Sequence, residues 1–159
     1  MSRKQEQLSL FAAFHRAGVD YVVVGGIAVN AHGFHRNTRD LDIFLRPTVE
    51  NAKAAFTALQ ELGAPTEGLD HTDLLTDYAH VQLSTAHGRI DVLTSIGEMT
   101  FEQAWAGRVE AVIEGVTVRF ISKQDLIENK LQVGRLIDLA DVEELTRLAD
   151  VDLLRLPEE

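Results

Sequence analysis

Helices and strands are predicted to alternate along the chain from the spacing of its apolar residues. Residues 4–17 repeat apolar positions at helical intervals and stop before a glycine, a residue suited to the end of a helix. The run 21–24 is short and rich in β-branched residues, which is typical of a buried strand. This strand ends at the pair Gly25-Gly26, after which residues 27–32 are predicted to form a short helix.

The later elements follow from the same patterns together with turn and capping residues. In chain order they are a strand within residues 36–45, a helix over 49–62, a loop at 64–73, a hairpin within 80–95 that turns at 86–88, a helix at 101–107, a strand at 116–121 and helices from 122 onward. Because helices are mixed with antiparallel strand pairs, the predicted fold class is α+β. We expect one domain over residues 1–159, with an α+β core at 1–121 and a helical C-terminal segment at 122–159.

The segment RNTRDLDIFL, residues 36–45, places two aspartates inside a run that otherwise resembles a buried strand. Because successive side chains on a strand point to opposite faces, Asp40 and Asp42 share one face and the apolar residues beside them share the other. Neighbouring carboxylates repel, so this arrangement is costly unless a positive charge lies between them. Taken alone, the pattern is most often the solvent-exposed face of an edge strand.

A third carboxylate, Asp91, lies on the second strand of the predicted hairpin, in GRIDVLTS. On this strand Arg89, Asp91 and Leu93 would point to the same face. If the strand neighbours the one that carries Asp40 and Asp42, the three carboxylates come together. Such an oxygen-rich site suits one or two Mg²⁺ ions, which prefer oxygen ligands and bring bound phosphates with them.

The pair Gly25-Gly26 supplies the other half of a candidate site. Glycines at a strand-to-helix junction expose backbone N–H groups, and such positions favour phosphate. A lone glycine pair is usually a simple turn. Its combination with the three aspartates is a much stronger indication of a metal and phosphate site.

Charge narrows the classes of function further. The 15 Lys and Arg residues face 25 Asp and Glu residues, and the formal net charge is −10 at pH 7. This balance argues against broad, non-specific binding of nucleic acids, which depends on neutralising phosphates. The charge is uneven, however, because residues 1–50 carry six basic and five acidic side chains and the remainder carries nine and twenty. A local cationic cleft near Arg36, Arg39 and Arg46 is therefore compatible with the sequence.

Several classes of site and location are excluded or disfavoured by composition. The chain has no cysteine, which excludes disulfides, thiolate catalysis and cysteine-ligated zinc or iron–sulfur sites. No apolar stretch approaches the length of a membrane span, and the N-terminus has no signal-peptide pattern. We therefore expect a soluble, cytoplasmic protein that does not associate with a membrane.

The segment VVVGGIAVNAHGFHRNTRDLDIFL, residues 22–45, resembles the signature of the nucleotidyltransferase superfamily related to DNA polymerase beta. Its spacing is most similar to the AbiEii-like and related minimal nucleotidyltransferases, several of which serve in toxin–antitoxin systems. The segment LIENKLQVGRLIDLADVEEL, residues 126–145, also resembles that group. The resemblance implies the nucleotidyltransferase fold, a small mixed β-sheet flanked by helices with a helical C-terminal extension.

The resemblance also implies a role for each residue of the block. Gly25 and Gly26 would hold the nucleotide triphosphate, and Asp40 and Asp42 would bind both metal ions. Asp91 would complete the metal site on the acceptor side, so all three aspartates are candidate catalytic residues. The implied reaction transfers NMP from an NTP donor to an acceptor hydroxyl and releases pyrophosphate, with two Mg²⁺ ions, or Mn²⁺, as the cofactor.

Two residues before the aspartate pair are further candidates for nucleotide binding. Arg36 and Thr38 share the face of Asp40 and Asp42 by strand parity, so both could contact phosphate. A simple ion pair with a carboxylate explains Arg36 equally well. Arg39 has the opposite parity and is predicted to be structural or solvent-facing.

Charged residues of the helical C-terminal segment give weaker candidates. Lys130 and Arg135 could reach the phosphates, with Lys130 the candidate for nucleotide binding, or both could be solvated helix charges. Asp138 and Asp141 are predicted to belong to a helix surface or to be salt-bridge partners. The remaining assignments are packing or loop roles for His32 and His35 and a core position for Trp105.

Two classes of function remain open from the sequence. The first is a metal-dependent nucleotidyltransferase whose acceptor could be an RNA end, a protein or a small molecule. The second is an antitoxin or nucleotide-binding module of a toxin–antitoxin pair, because the chain is short and its acidic surface could complement a basic protein partner. A metal-binding fold without transfer activity is a third, simpler alternative.

Overall fold

The computed structural model describes residues 1–158. Its helices are α1 (Arg3–Ala17), α2 (Gly25–Ala31), α3 (Val49–Glu61), α4 (Phe101–Ala106), α5 (Lys123–Val133) and α6 (Leu136–Arg147). Its strands are β1 (Tyr21–Val24), β2 (Asp40–Leu45), β3 (His80–Thr85), β4 (Gly88–Leu93), β5 (Val109–Ile113) and β6 (Val116–Phe120), and a short 3₁₀ helix (His71–Leu74) precedes β3. No helix in this part of the chain is long and apolar enough to cross a bilayer.

Polar side chains fix where the longer helices begin. Ser2 accepts a hydrogen bond from the amide of Gln5, and the Gln5 side chain accepts one from the Ser2 amide, which together form a capping box at α1. Thr48 and Ser122 cap α3 and α5, each accepting from the amide three residues further on. Helix α1 ends at Gly18, whose φ of 69° is a left-handed value that favours glycine.

Within residues 1–158, the strands form one six-stranded mixed sheet in the order β3-β4-β2-β1-β6-β5. The pairs β1–β2, β3–β4 and β5–β6 are antiparallel, whereas β2–β4 and β1–β6 are parallel. Strand β2 therefore lies between β1 and β4, near the middle of the sheet. The predicted α+β class and the small mixed sheet flanked by helices are confirmed.

The hydrophobic core joins the sheet to the first helix and to the C-terminal residues. Phe11 and Phe14 of α1 pack on Tyr21 of β1, each with a ring-centroid distance of 5.5 Å. Leu154 and Leu156 are buried in the same cluster. Because burial of apolar surface is the main favourable term in folding, the C-terminal segment is held by the core of the sheet.

Two local elements differ from the prediction. The sequence pattern does not predict β5, because Glu110 interrupts its apolar run at the outer edge of the sheet. This strand pairs with β6 across a turn in which Glu114 and Gly115 have φ values of 49° and 82°. Residues 64–73, predicted as loop, include the start of the 3₁₀ helix because the side chain of Asp70 caps it.

The C-terminal helices bury charged residues and expose apolar ones. Leu126, Leu136 and Leu145 are among the apolar positions that recur at helical intervals in the sequence of this segment, which predicts that all three face the core. Leu126 and Leu145 are buried as predicted, but Leu136 is 87% exposed. Asp138 and Asp141 are buried instead. The exposed large apolar residues around the turn between α5 and α6, here termed the α5–α6 apolar surface, are Leu131, Val133, Leu136, Ile137 and Leu139.

Candidate active site

The register of the central strands brings the predicted acidic residues together. In the parallel β2–β4 pair, Asp42 lies opposite Asp91 and Asp40 lies opposite Arg89. On its other side Asp42 lies opposite Val24, the residue that precedes the glycine pair. The strands that carry the aspartates and the start of α2 therefore meet at one place in the sheet.

Arg89 supplies the positive charge between these carboxylates. Its Nε and Nη2 atoms donate to the two carboxylate oxygens of Asp91 at 2.7 and 3.0 Å, and Nη2 lies 3.3 Å from Oδ2 of Asp40. The Asp91 side chain is only 4% exposed, whereas that of Arg89 is 40% exposed. Sequence reasoning placed Arg89 on the same strand face but gave it no role. Its position two residues before Asp91 was the available signal.

The carboxyl group of Asp42 is difficult to ionise in this environment. Burial, followed by the charge of Asp91 and a hydrogen bond between the two carboxyl groups, raises the pKa of Asp42 from 3.8 to about 7. The side chain therefore retains a proton at pH values where an ordinary aspartate is charged. A cation placed nearby would favour the ionised form and lower this pKa again.

No group of three or more His, Cys, Asp or Glu side chains within residues 1–158 is arranged to hold a metal ion. Both carboxylate oxygens of Asp91 instead accept hydrogen bonds from the guanidinium of Arg89. The donor chemistry nevertheless fits a hard divalent cation, because the groups are carboxylate oxygens and a guanidinium stands in as the positive charge. Asp40, Asp42 and Asp91 are therefore the residues that could hold such an ion.

The glycine pair leaves space beside these carboxylates that a side chain would fill. A Cβ atom at Gly25, where φ is 66°, would lie 2.1 Å from Oδ2 of Asp42. A Cβ atom at Gly26 would lie 2.5 Å from Oγ1 of Thr38 and 3.4 Å from Nη1 of Arg36. The absence of side chains at both positions therefore lets the backbone approach the functional groups directly.

Gly25→Ala is expected to destabilise the protein more than Gly18→Ala does. Both positions have left-handed φ values, 66° and 69°, so both variants incur the backbone strain of about 1–2 kcal/mol for an L-residue there. Only Gly25 adds a clash with Asp42, since nothing lies within 4 Å of a Cβ atom at Gly18. Urea unfolding of the two variants measures the difference. Equal losses of stability would show that the contact with Asp42 imposes no constraint.

A buried ion network forms another part of the site. Nε and Nη2 of Arg36 donate to the two carboxylate oxygens of Asp141 at 2.8 and 2.9 Å. Nζ of Lys130 lies 2.9 Å from Asp141 and 3.2 Å from Asp138, and Arg135 donates to Asp138 at 2.7 Å. Burial opposes ionisation of the two aspartates, but hydrogen bonds from these cations outweigh it and hold both pKa values below the ordinary value. The network links α5 and α6 to the loop before β2.

This network decides between the alternatives left by the sequence. Asp138 and Asp141 are salt-bridge partners as predicted, whereas the alternative of a helix surface is wrong because they are 2% and 0% exposed. The alternative of a solvated charge is likewise wrong for Lys130, which is 6% exposed. For Arg135 the same alternative is correct in that the side chain is 70% exposed, but the charge is also paired with Asp138. Arg36 pairs with a carboxylate and also lines the cleft.

The three aspartates, the glycine pair and the ion network apart from Asp141 border one cleft of about 1170 Å³. Its charged lining residues are Arg3, Arg36, Arg39, Arg89, Lys130 and Arg135 against Asp40, Asp42, Asp91 and Asp138. The excess of basic groups makes the cleft locally cationic in an acidic protein, which suits a polyphosphate. Sequence reasoning missed Arg3, whose Nη1 donates to the carbonyl oxygen of Thr38 at 2.8 Å, because it lies 35 residues from Thr38 along the chain.

Arg46 does not contribute to the cationic cleft that was predicted near it. Its guanidinium pairs with Asp20 at 2.8 Å and with Glu102, and it lies over the ring of Phe101. Trp105, predicted as a core residue, is half-buried and stacks on Phe101 with a centroid distance of 5.7 Å. Arg46 therefore belongs to an aromatic and ionic cluster at the other end of β2.

The two histidines near the site occupy different environments. His32 is buried, and its Nε2 atom lies 2.8 Å from the carbonyl oxygen of Ile121. Burial lowers the pKa of His32, so the ring is uncharged at neutral pH. His35 is exposed on the loop between α2 and β2. These positions agree with packing and loop roles.

The fold is similar to those of known nucleotidyltransferases at low sequence identity. The lincosamide antibiotic adenylyltransferase LnuA, solved with lincomycin bound, aligns with a TM-score of 0.64 and 17% identity over 93% of this chain and 99% of that chain. The antibiotic-resistance factor ANT(2'')-Ia aligns with a TM-score of 0.63 and 17% identity over 91% and 84%. TM1012 from Thermotoga maritima, a candidate nucleotidyltransferase, aligns with a TM-score of 0.61 and 13% identity over 92% and 95%. No curated protein sequence matches the chain.

These structures establish the fold alone, because their sequences are distant. The family follows from the sequence itself, since residues 5–158 match the profile of a family described as "Nucleotidyltransferase of unknown function (DUF6036)". This match confirms the predicted superfamily, and the AbiEii-like subgroup stays a prediction. The chain therefore belongs to this nucleotidyltransferase family.

Proposed function

We propose that the protein is a metal-dependent enzyme that transfers NMP from an NTP to an acceptor hydroxyl and releases pyrophosphate. The observation that carries this proposal is the position of Asp42 opposite Asp91, beside a glycine pair and inside a basic cleft. Membership of a nucleotidyltransferase family supports the class of reaction. The roles of individual residues below are part of the proposal.

The proposed cofactor is a pair of Mg²⁺ ions, or Mn²⁺, held by Asp40, Asp42 and Asp91. When bound, these ions would neutralise charge on the triphosphate and lower the pKa of the acceptor hydroxyl. The donor set supports this cofactor, because all three groups are carboxylates. Asp91 is buried, and the carboxyl group of Asp42 is difficult to ionise without a nearby cation. Asp91 is 3% exposed, so its charge must be balanced by a partner inside the site.

The donor triphosphate is proposed to lie along Gly25 and Gly26, where the absence of Cβ atoms leaves room beside Thr38. Arg36 is oriented for this role because its Nε and Nη2 atoms donate to Asp141, while Nη1 lies near Gly26 and donates to the carbonyl oxygen of Asn37 at 3.2 Å. Arginine suits phosphate recognition since its planar guanidinium presents several fixed donors.

Lys130 adds a second cation to the same part of the cleft. Its ammonium group is held between Asp138 and Asp141 at 3.2 and 2.9 Å, so its position is fixed before any nucleotide binds. A fixed cation stabilises charge without reorganising when the phosphates bind. We therefore propose that Lys130 contributes to phosphate binding from α5.

The acceptor is proposed to share the cleft with the donor. Its volume of about 1170 Å³ exceeds the usual range of about 300–1000 Å³ for small-molecule pockets, which leaves room for two substrates. LnuA has been solved with lincomycin bound, and ANT(2'')-Ia in complex with adenylyl-2''-tobramycin. A small hydroxylated molecule is thus one candidate acceptor here, beside an RNA end and a protein side chain.

The test is a transfer assay that assumes no acceptor. Cell lysate is incubated with Mg²⁺, the purified protein and each of the four labelled NTPs in turn, and labelled products are separated by size and chemistry. The proposal expects a product that forms with the wild type and disappears with Asp42→Asn. Equal labelling by both proteins, or labelling by neither with any NTP, would contradict it.

A second candidate function is favoured by the α5–α6 apolar surface. Exposed large apolar side chains that lie close together often mark a protein interface, and the five members of this surface fall within residues 131–139. Two of its members, Val133 and Ile137, also line the cleft. A toxin or antitoxin partner seated there would cover the site, which is the arrangement expected for an antitoxin or nucleotide-binding module.

Leu136→Glu is expected to prevent binding of such a partner without unfolding the protein, because this side chain is 87% exposed. The measurement is co-purification of the protein with the co-expressed product of the neighbouring gene. Val112→Glu is the matched control, since Val112 is also an exposed apolar residue, at 67%, but lies on β5. If both variants retain the partner, or both lose it, the α5–α6 apolar surface is not the interface.

A further inference from the structure

We propose that Arg89 is an exchangeable counter-ion of the site, which releases Asp91 and Asp40 when divalent cations bind and occupies their place when none is present. This inference rests on the proposed function, because it assumes that these carboxylates bind metal. It goes beyond that function by giving the guanidinium of Arg89 two positions. Arg89 is thus a positioning residue that sets how readily the site accepts a cation.

The Arg89–Asp91 contact keeps the carboxylate of Asp91 occupied. The guanidinium uses a bidentate fork, with Nε and Nη2 at 2.7 and 3.0 Å from the two oxygens of Asp91. Both oxygens therefore already have a donor, so a cation can bind Asp91 only if at least one of these hydrogen bonds breaks. The same Nη2 atom reaches Asp40 at 3.3 Å, so one side chain restrains two candidate ligands.

The closely spaced carboxylates of the site need a positive charge beside them. Asp42, Asp91 and Asp40 occupy adjacent strands, with Asp42 directly opposite Asp91. Carboxylates this close repel unless a cation lies between them. In the structure that cation is Arg89, while His80 of β3 lies further away, with Nε2 at 3.7 Å from Asp91. Bound metal ions would supply more charge than one guanidinium, so the two occupants compete for the same carboxylates.

The side chain of Arg89 can move away from the carboxylates, whereas that of Asp91 cannot move into solvent. The side chain of Arg89 is 40% exposed and borders the open cleft, whereas that of Asp91 is 4% exposed. Release of the guanidinium into the cleft therefore moves a charge that is already partly exposed, and the incoming cation would balance Asp91 in its place. In the cleft the guanidinium would stay close to the triphosphate, because the glycine pair lines the same cleft.

The test compares Mn²⁺ binding by the wild type, Arg89→Met and Arg89→Lys. Free Mn²⁺ is counted by electron paramagnetic resonance, without nucleotide, and thermal unfolding is followed in EDTA and in Mn²⁺. Exchange predicts that Arg89→Met binds Mn²⁺ about tenfold or more tightly than the wild type, since no charged hydrogen bonds must break. It also predicts that the variant melts at a lower temperature in EDTA and gains more from Mn²⁺ than the wild type does. Arg89→Lys should lie between the two.

Arg108→Met is the matched control. Arg108 also pairs with a carboxylate two residues further on, with its Nε atom 3.1 Å from Glu110, but it does not line the cleft. Its loss should leave Mn²⁺ affinity unchanged. Mn²⁺ binding by Arg89→Met that is equal to or weaker than wild-type binding would overturn the exchange role and leave the proposed function intact. The absence of Mn²⁺ binding by every protein would overturn both. If Arg89→Met fails to fold in EDTA, the Mn²⁺ titration of Arg89→Lys decides alone. Arg89→Lys must then bind Mn²⁺ more tightly than the wild type, and equal or weaker binding overturns the exchange role of Arg89.

Discussion

Replacing Asp42 with asparagine is expected to reduce nucleotidyl transfer by more than about tenfold, given that even changes behind the metal ligands cost about 10–100-fold in comparable sites. Asparagine preserves the shape of the side chain opposite Asp91, but it removes the negative charge that the proposed cations require. The measurement is transfer of labelled NMP at saturating NTP and Mg²⁺. Asp150→Asn is the control, because that carboxylate is 90% exposed and pairs only with Lys123 among the ion pairs of residues 1–158. Comparable losses in both variants would remove Asp42 from the chemistry.

The same substitution should stabilise the metal-free protein at neutral and alkaline pH. The folded pKa of Asp42, about 7, lies above its ordinary value of 3.8, so between these pH values the folded state binds more protons than the unfolded state. The free energy of unfolding therefore falls as pH rises from 3.8 to about 7, because Asp42 must lose its proton in the folded state. Above that range the full cost of ionising Asp42 in the folded state is present. Asp42→Asn removes the titrating group.

Denaturant unfolding in EDTA at a series of pH values measures this effect. The stability of Asp42→Asn relative to the wild type should increase from pH 5 to pH 8. Other titrating groups of the site, Asp138 and Asp141 among them, are present in both proteins and cancel in the difference to first order. A difference that is independent of pH would show that Asp42 ionises in the folded state as easily as in the unfolded one.

Replacing Asp141 with asparagine is expected to cost about 3–5 kcal/mol of unfolding free energy, the usual cost of removing one partner from a buried ion pair. Asp141 is 0% exposed and accepts hydrogen bonds from Arg36 while its other contact is Lys130. Its loss leaves Arg36 without this carboxylate and leaves the 6% exposed Lys130 with Asp138 alone. Urea unfolding at neutral pH measures the change.

Glu144→Gln provides the control on the same helix. Glu144 pairs with Arg147, whose side chain is 65% exposed, and such surface pairs contribute only about 0–1 kcal/mol. Nucleotide affinity should also fall in Asp141→Asn, because Arg36 and Lys130 lose the contact that fixes their positions, and should not change in Glu144→Gln. Similar stability in the two variants would show that the buried network contributes little to the fold.

The acidic part of the site was within reach of the sequence because its geometry is local. Strand alternation places Asp40 and Asp42 on one face, and a hairpin strand beside them brings in Asp91, as the β2–β4 register shows. The glycine pair is adjacent to β1 along the chain, so its place at the end of that strand follows from the same pattern.

The ion network could not be derived in the same way, because its partners are distant in sequence. Arg36 and Asp141 are 105 residues apart, and charged residues on helices are usually exposed. The spacing of leucines therefore predicts the wrong buried face for part of α5 and α6, where Lys130 and Asp138 are inside and Leu136 is outside. Strand β5 was missed for a related reason, since edge strands can carry charges such as Glu110 that weaken their apolar pattern.

The order of strands separates the part of the sheet that bears the candidate site from the β5–β6 edge, where an insertion can be accommodated. Strands β4, β2 and β1 lie between β3 on one side and β6 and β5 on the other. The β5–β6 turn at Glu114 and Gly115 does not line the cleft. A Cβ atom at Gly115 would meet nothing within 4 Å, so there is open space beside this glycine, whereas Glu114 pairs with Lys4 of α1 at 3.1 Å. A reporter peptide or a whole accessory module could be grafted there without moving the aspartates. The corresponding turn at Ala86 and His87 borders the cleft and offers no such freedom.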